Sequence, residues 1–338
     1  MKKTEGFKAY GYVLFTAAML AATLLCICMG SVNVPLNDTF AAIFGTAEGS
    51  SDAIITNVRI PRVISAALIG AALSLCGGAM QGLLKNPLAD GSTLGVSSGA
   101  SLGAVVAIAF GLTLPAFPLA GTMAFAMLFA FASLMIILAL AYKLDRSLST
   151  NTIILIGVIF SMFASSIISV LIAFASDKVK QITFWTMGSL SGSTYANIAS
   201  LAAALVIFGG IILSQCRELN AFALGEDNAL SVGVNVKRVK LTILICVSAL
   251  IGVCVSVGGS IGFVGLVIPH MTRMLTGPDH KKLLPACLFS GSIFLMLSDL
   301  ISRTIVSPIE LPIGVVTSLI GAVAFVIIFF KSRKAGRG

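Results

Sequence analysis

Residues 59–104 read RIPRVISAALIGAALSLCGGAMQGLLKNPLADGSTLGVSSGASLGA. Two arginines flank a proline and lead into an apolar run too long for an ordinary soluble core helix. A membrane helix needs roughly 20 apolar residues, and 68–84 with its flanks supplies them. Lys85-Asn86-Pro87 breaks the run, and a second glycine-rich apolar stretch follows. Gly70, Ala71, Gly77, Gly78, Gly95, Gly99 and Gly103 recur at helical spacing, giving faces on which helices approach closely in lipid.

The whole chain has this character. It is 338 residues long, 57% hydrophobic and 10% charged, with a mean hydropathy of +1.05, whereas a soluble domain carries about 25% charged residues. The fold class is therefore an all-α polytopic membrane protein, because helices satisfy their own backbone hydrogen bonds in lipid. Apolar windows predict ten spans, near 10–30, 60–84, 94–112, 115–141, 152–175, 195–214, 239–257, 260–275, 284–305 and 312–330. They make a single transmembrane domain over 1–338, with no soluble domain. The N-terminal MKKTEGFKAYGYVLFTAAMLAATLLCICMG has no A-x-A cleavage site after its long apolar run, so it is read as the first span.

The net charge of +9 could suggest nucleic acid, but the basic residues are scattered among loops. With the N-terminus in the cytoplasm, only Arg59, Arg62, Lys178, Lys180 and Arg303 of the 22 Lys/Arg fall outside. That is the positive-inside asymmetry, and it places both ends in the cytoplasm. Seven cysteines show no C-x-x-C or metal spacing, so they read as small hydrophobes without a structural disulfide.

A faint repeat runs through the chain. Ala67-Leu68-Ile69-Gly70 recurs as Ala249-Leu250-Ile251-Gly252, a Gly-Gly pair follows each, and Pro87 and Pro269 stand at matching distances. The two copies run in opposite directions across the membrane, the signature of an inverted-topology repeat.

Motif strings carry the functional reading. R-x-P-R (Arg59, Pro61, Arg62), Gln81, Asn86-Pro87-Leu88-Ala89 and Leu94-Gly95-Val96 stand at fixed spacing in the first half. The second half holds Leu224-Gly225-Glu226 with Ala229, Leu230 and Gly233, then Gly258-Gly259-Ser260-Ile261-Gly262-Phe263 with Pro269 and His270, and Glu310-Leu311-Pro312. Together they resemble the FecCD family, the permease subunits of bacterial ABC importers for iron-siderophores, haem and vitamin B12. The resemblance covers nearly the whole chain. It departs where the family has an arginine before Asn-Pro-Leu-Ala and this chain has Lys85, which keeps the charge but loses the planar fork.

From the residues, the loop 215–238 offers a short helix at 226–230, which by itself could lie on the membrane surface. The resemblance implies a coupling helix for an ATPase, carried by Leu224, Gly225, Glu226, Ala229, Leu230 and Gly233. Arg59, Arg62 and Arg303 read as exposed charges at the external mouth. They could snorkel to headgroups, and Arg303 could pair with Asp299 one turn earlier. The resemblance implies docking of a substrate-binding protein, whose carboxylates guanidinium groups hold bidentately. Ser149, Thr150 and Asn151 cap the fifth span, and the resemblance adds a cytoplasmic gate. Pro269 must interrupt helix hydrogen bonding. His270 is read as bonding to that broken backbone, and His280 as lying in the polar loop beyond; no metal site is expected. Pro312 suits a first helical turn.

No G-x-x-x-x-G-K-[ST] loop is present to cradle phosphates, so ATP and Mg belong on a partner ATPase and this chain is not an enzyme. The resemblance implies a second permease subunit (homodimer or paralogue), two ATPase subunits, an extracytoplasmic substrate-binding protein and the lipid bilayer, with no nucleic acid. Ferric siderophore ranks first as cargo, ahead of haem and cobalamin. The alternative class is an ion-coupled secondary transporter, which needs midplane carboxylates where this chain offers Asp299. An intramembrane enzyme would need a nucleophile–base pair or metal cluster, and two histidines without such spacing do not supply one.

Overall fold

The computed structural model describes residues 9–45, 49–91, 94–112, 118–146 and 149–335. Lys2, Lys3 and Lys8, counted among the cytoplasmic charges at the N-terminus, lie outside these residues.

The described residues form helices α1 (Ala9–Cys28), α2 (Leu36–Ile43), α3 (Ser50–Leu83), α4 (Val96–Ala109), α5 (Pro118–Leu144), α6 (Thr150–Phe174) and α7 (Val179–Thr186). They continue with α8 (Tyr195–Ser214), α9 (Cys216–Ala223), α10 (Glu226–Ser231), α11 (Val236–Gly258), α12 (Val264–Thr276), α13 (His280–Thr304) and α14 (Ile313–Ala335). Seven of them, α1, α3, α5, α6, α8, α11 and α13, are long and apolar enough to cross a membrane. Within α3 the turn Ile55–Arg59 is a π turn. It sits where Pro61, lacking an N–H, would drive its ring into the carbonyl of residue 57 in an ideal α-helix, and a wider turn relieves that clash.

Helices α3 and α11 bury most of their length and form the centre. Each begins a series of one long, one short and two long helices: α3 to α6, and α11 to α14. The series interlock. Helix α3 packs chiefly on α13 and α12, and α11 chiefly on α5, α8 and α3 with a smaller contact on α4, so each central helix touches the second and third helices of the other half. Each short helix opens from a left-handed residue, Gly95 (φ 74°) for α4 and Phe263 (φ 68°) for α12. The two halves thus repeat one element order, but in a register other than the one read from the sequence: Gly77-Gly78 lies inside α3 and Gly258-Gly259 at the end of α11, and Pro87 precedes α4 whereas Pro269 lies inside α12.

Small residues set the crossings. A Cβ on Gly70 would stand 2.2 Å from the carbonyl oxygen of Gly291, and one on Gly77 would stand 1.8 Å from that of Gly265. Only backbone fits at either point, so α3 lies directly on α13 and α12. Without a hydrophobic driving force between helices in lipid, such close packing is what holds them.

Two expectations about prolines change. Helix α12 runs through Pro269 rather than breaking there, and the irregular segment is 259–263, just before it. The carbonyl left without a donor by Pro269 is that of Gly265, four residues earlier. The Gln81 side-chain amide donates to it at 3.3 Å and to Leu266 O at 3.0 Å. Pro312 lies one residue outside α14, where its carbonyl accepts from Val315 and Val316 N–H.

Candidate functional site

One end of the bundle gathers Arg59, Arg62, Asp299, Arg303 and Glu310. Sequence reading took the three arginines as exposed charges; the structure corrects this, since none is more than 5% exposed. Arg62 Nε meets both oxygens of Asp299 at 2.9 and 3.1 Å, and Nη1 meets both of Glu310 at 3.1 and 2.9 Å. Arg303 Nε lies 3.4 Å from Asp299, the i,i+4 pair read from sequence, and its Nη2 donates to Cys26 O at 2.6 Å. Arg59 Nη1 donates to the carbonyls of Ile27 at 2.9 Å and Cys28 at 3.0 Å, and its Nη2 to that of Val32.

The cause lies at the end of α1. A helix leaves its last carbonyls without partners and carries partial negative charge there. Cys26, Ile27 and Cys28 are those carbonyls, and two guanidinium groups satisfy them. Gly30 gives Arg59 its room, because a Cβ there would come within 2.9 Å of Arg59 Nε. Asp299 and Glu310 then balance Arg62, which joins α3, α13 and the link into α14. Glu310 is the member of this network that its sequence position, at the mouth of a span, had not marked as an ion-pair partner.

The opposite end carries the loop between α8 and α11. Helices α9 and α10 fold into a compact tip. Leu224 (74%), Leu230 (56%) and Val232 (71%) project from it, while Ala229 is fully buried. Ala229 therefore faces the loop's own interior, against the expectation that it lies on a docking face. Gly225 (φ 122°) opens α10 and Gly233 (φ 84°) closes it. Gly233 N–H donates to Leu230 O and Val234 N–H to Ala229 O, a Schellman termination that requires the left-handed residue. Glu226 accepts from the fully buried Lys240 Nζ at 2.8 Å, which pins the tip to α11. A lysine within a turn of the apolar run of α11 was the available sequence signal for this pair.

A second attachment joins the tip to α13. Asn220 Oδ1 accepts from His280 N–H at 2.9 Å and lies 2.8 Å from His280 Nδ1, and Asn220 Nδ2 donates to Asp279 Oδ1 at 2.7 Å. Asp279 in turn accepts from Lys281 N–H as the N-cap of α13. The Asn220 hydrogen bond, with the backbone and lysine charges around it, holds the Asp279 carboxyl below its ordinary range. His280 is thus a buried first residue of α13, not a loop residue. His270 also departs from expectation: its Nδ1 is buried without a hydrogen-bond partner, and Gln81 serves the broken backbone instead.

Beside this loop, Asn86 Oδ1 accepts from Leu88 N–H at 2.9 Å, so Asn86-Pro87 makes a side-chain-stabilised turn after Lys85 (φ 47°). Ser149 caps α6, its Oγ accepting from Thr152 N–H; Thr150 is half-buried and Asn151 exposed. Gly262 lies in the irregular segment before α12. Among the described residues no group of three or more His, Cys, Asp and Glu could hold a metal ion.

Comparison with known proteins covers the same ground. The model of the FecCD transport family matches residues 18–331. An ABC transporter permease protein of Bacillus subtilis, YvrB, itself uncharacterised, is 43% identical over 96% of this chain and 95% of its own. The hemin transport system permease HmuU of Yersinia pestis is 36% identical over 94% and 96%. Permeases named for import of vitamin B12 in Citrobacter koseri and of molybdate in Haemophilus influenzae are 36% and 32% identical. A solved chain described as a metal-chelate type ABC transporter in an inward-facing conformation superposes with a TM-score of 0.84, at 31% identity, covering 94% of this chain and 98% of that one.

Proposed function

The chain belongs to the FecCD transport family, and we propose that it is the permease subunit of a binding-protein-dependent ABC importer for ferric siderophores. It works by ATP-driven alternating access in the bacterial inner membrane, both termini in the cytoplasm. The observation that carries this reading is the tip of the α8–α11 loop. Three large apolar side chains, Leu224, Leu230 and Val232, stand exposed on a segment mounted through Glu226–Lys240 and Asn220–His280. Apolar residues on a rigid polar-capped mount suit insertion into a cleft of a second protein, here one of two ATPase subunits that hold ATP and Mg.

A second permease, a copy of this chain or a paralogue, completes the channel, with Thr150 and Asn151 at its cytoplasmic exit. A substrate-binding protein seats on the opposite end. Arg59, Arg62 and Arg303 support that rim from beneath, since their guanidinium groups are used within the chain. An ion-coupled carrier is less well supported, because Asp299 already faces two arginines.

Siderophore ranks first because the well-superposed solved chain is described as metal-chelate type. Haem is the second reading, favoured by the 36% identity to a hemin permease. Uptake of labelled ferric siderophores, haem, cobalamin and molybdate by the host, with and without this gene, tests both. Loss of one cargo, restored by the gene and insensitive to an ionophore, is the expected result. Loss restored by the gene but abolished by collapse of the proton gradient would overturn the ABC reading, and loss of haem uptake alone would replace siderophore by haem.

A further inference from the structure

The 25-residue helix α13 (His280–Thr304) is about 37 Å long at 1.5 Å per residue, enough to reach from one end of the bundle to the other. Its last turns carry Asp299 and Arg303, which join α3 and α1. Its first residue, His280, is buried against α3: a Cβ on Gly82 would fall 2.3 Å from His280 Nε2. Between α12 and this residue lies only the segment Gly277–Asp279, with Gly277 at φ 83°. A short glycine-containing link of that kind absorbs movement unless something spans it.

Asn220 spans it. One amide side chain on α9 accepts from His280 N–H and donates to Asp279 Oδ1, so it grips both the N-cap and the first residue of α13. Cys216 Sγ, one turn earlier on α9, approaches His280 O at 3.4 Å. Tyr12 of α1 donates to Lys282 O at 3.0 Å. We infer that Asn220 is a positioning residue of the transport cycle: through its paired contacts with Asp279 and His280, movement of the α9–α10 tip is passed to α13. This rests on the reading of that tip as the ATPase docking segment.

The test uses the complete importer, this chain with its ATPase and second permease subunit, in proteoliposomes. Asn220→Ala should assemble with the ATPase and hydrolyse ATP while transport per ATP falls about tenfold, within the range such coupling residues command. Asn220→Asp sets two carboxylates against each other and should fall as far. Exchange of the pair, Asn220→Asp with Asp279→Asn, puts the amide donor on the other side while both residues keep an oxygen for His280 and Lys281 N–H. It should restore coupling to near the parent value. Parent-like transport per ATP in Asn220→Ala overturns the inference. So does an exchange variant no better than Asn220→Asp, a comparison that decides the matter even if Asn220→Ala fails to fold. Unchanged ATPase association in a Leu230→Glu variant would instead overturn the docking reading beneath it.

Discussion

Asp299 and Arg62, 237 residues apart in sequence, meet through two hydrogen bonds of 2.9 and 3.1 Å and so bolt α13 to α3. A buried ion pair gains little over a well-packed apolar pair, but removing one member strands the other's charge. Asp299→Ala leaves Arg303 without a carboxylate and Arg62 with Glu310 alone, and a loss of about 3 kcal/mol is expected. Glu310→Gln should cost less, because the Glu310 side chain keeps 32% of its surface exposed. Thermal unfolding of the purified protein in detergent checks the order, and a Glu310→Gln loss equal to that of Asp299→Ala would refute it.

The crossing of α3 and α12 is set by Gly77 against the Gly265 carbonyl. Gly77→Ala should therefore abolish the monodisperse folded protein, since backbone rather than a flexible side chain stands in the way. Gly210→Ala, with nothing near its Cβ, should be neutral or stabilising by up to about 1 kcal/mol from helix propensity. Size-exclusion profiles of the two variants make the comparison.

Gln81 replaces a donor that Pro269 cannot provide. Gln81→Leu leaves the Gly265 carbonyl unserved and should cost about 1–3 kcal/mol. Faster amide exchange along 270–273 than in the parent is the accompanying signature, and unchanged exchange there would show that the carbonyl finds another donor.

Asp279 carries the pH prediction. Its carboxyl is held low by Asn220 first, then by backbone and lysine charge. A depressed carboxyl stabilises the fold above its unfolded value, about pH 4. That contribution disappears as pH falls through the lower folded value. Removing the Asn220 amide should let the carboxyl rise toward its ordinary range, so Asn220→Ala should be less stable near neutral pH and lose less further stability than the parent as pH falls below about 4. Coincident acid limbs for parent and variant would count against the assignment.

At the loop tip, Leu230→Glu should prevent co-purification of the ATPase, because a charge replaces an exposed apolar contact. Ala229→Leu should act differently, loosening the loop itself, since Ala229 is enclosed. Limited proteolysis of the loop separates the two effects.

Much of this was legible in the chain itself. The apolar runs marked the helices, and Gly225 and Gly233 bounded the short helix of the tip. The Arg303–Asp299 pair was visible because it lies one helical turn apart. Arg62, Arg59, His280 and Ala229 were misread in exposure, and Gln81 and Asn220 gave no sign of the carbonyl and the cap they serve. Each of these depends on a neighbour from another helix.

What the sequence alone determined is therefore local: which segments are apolar enough and long enough to be helices, where turns demand glycine, and which family motifs recur at fixed spacing. Hydropathy, dihedral preference and i,i+4 geometry act within a few residues, so a linear reading captures them. Only the tertiary structure decided that the arginines turn inward to the end of α1, that Lys240 is buried against Glu226, and that Asn220 holds the start of α13. Those outcomes depend on how each helix is rotated about its axis. That rotation is set by the closest backbone crossings, Gly70 on Gly291 and Gly77 on Gly265, between residues that no local rule relates.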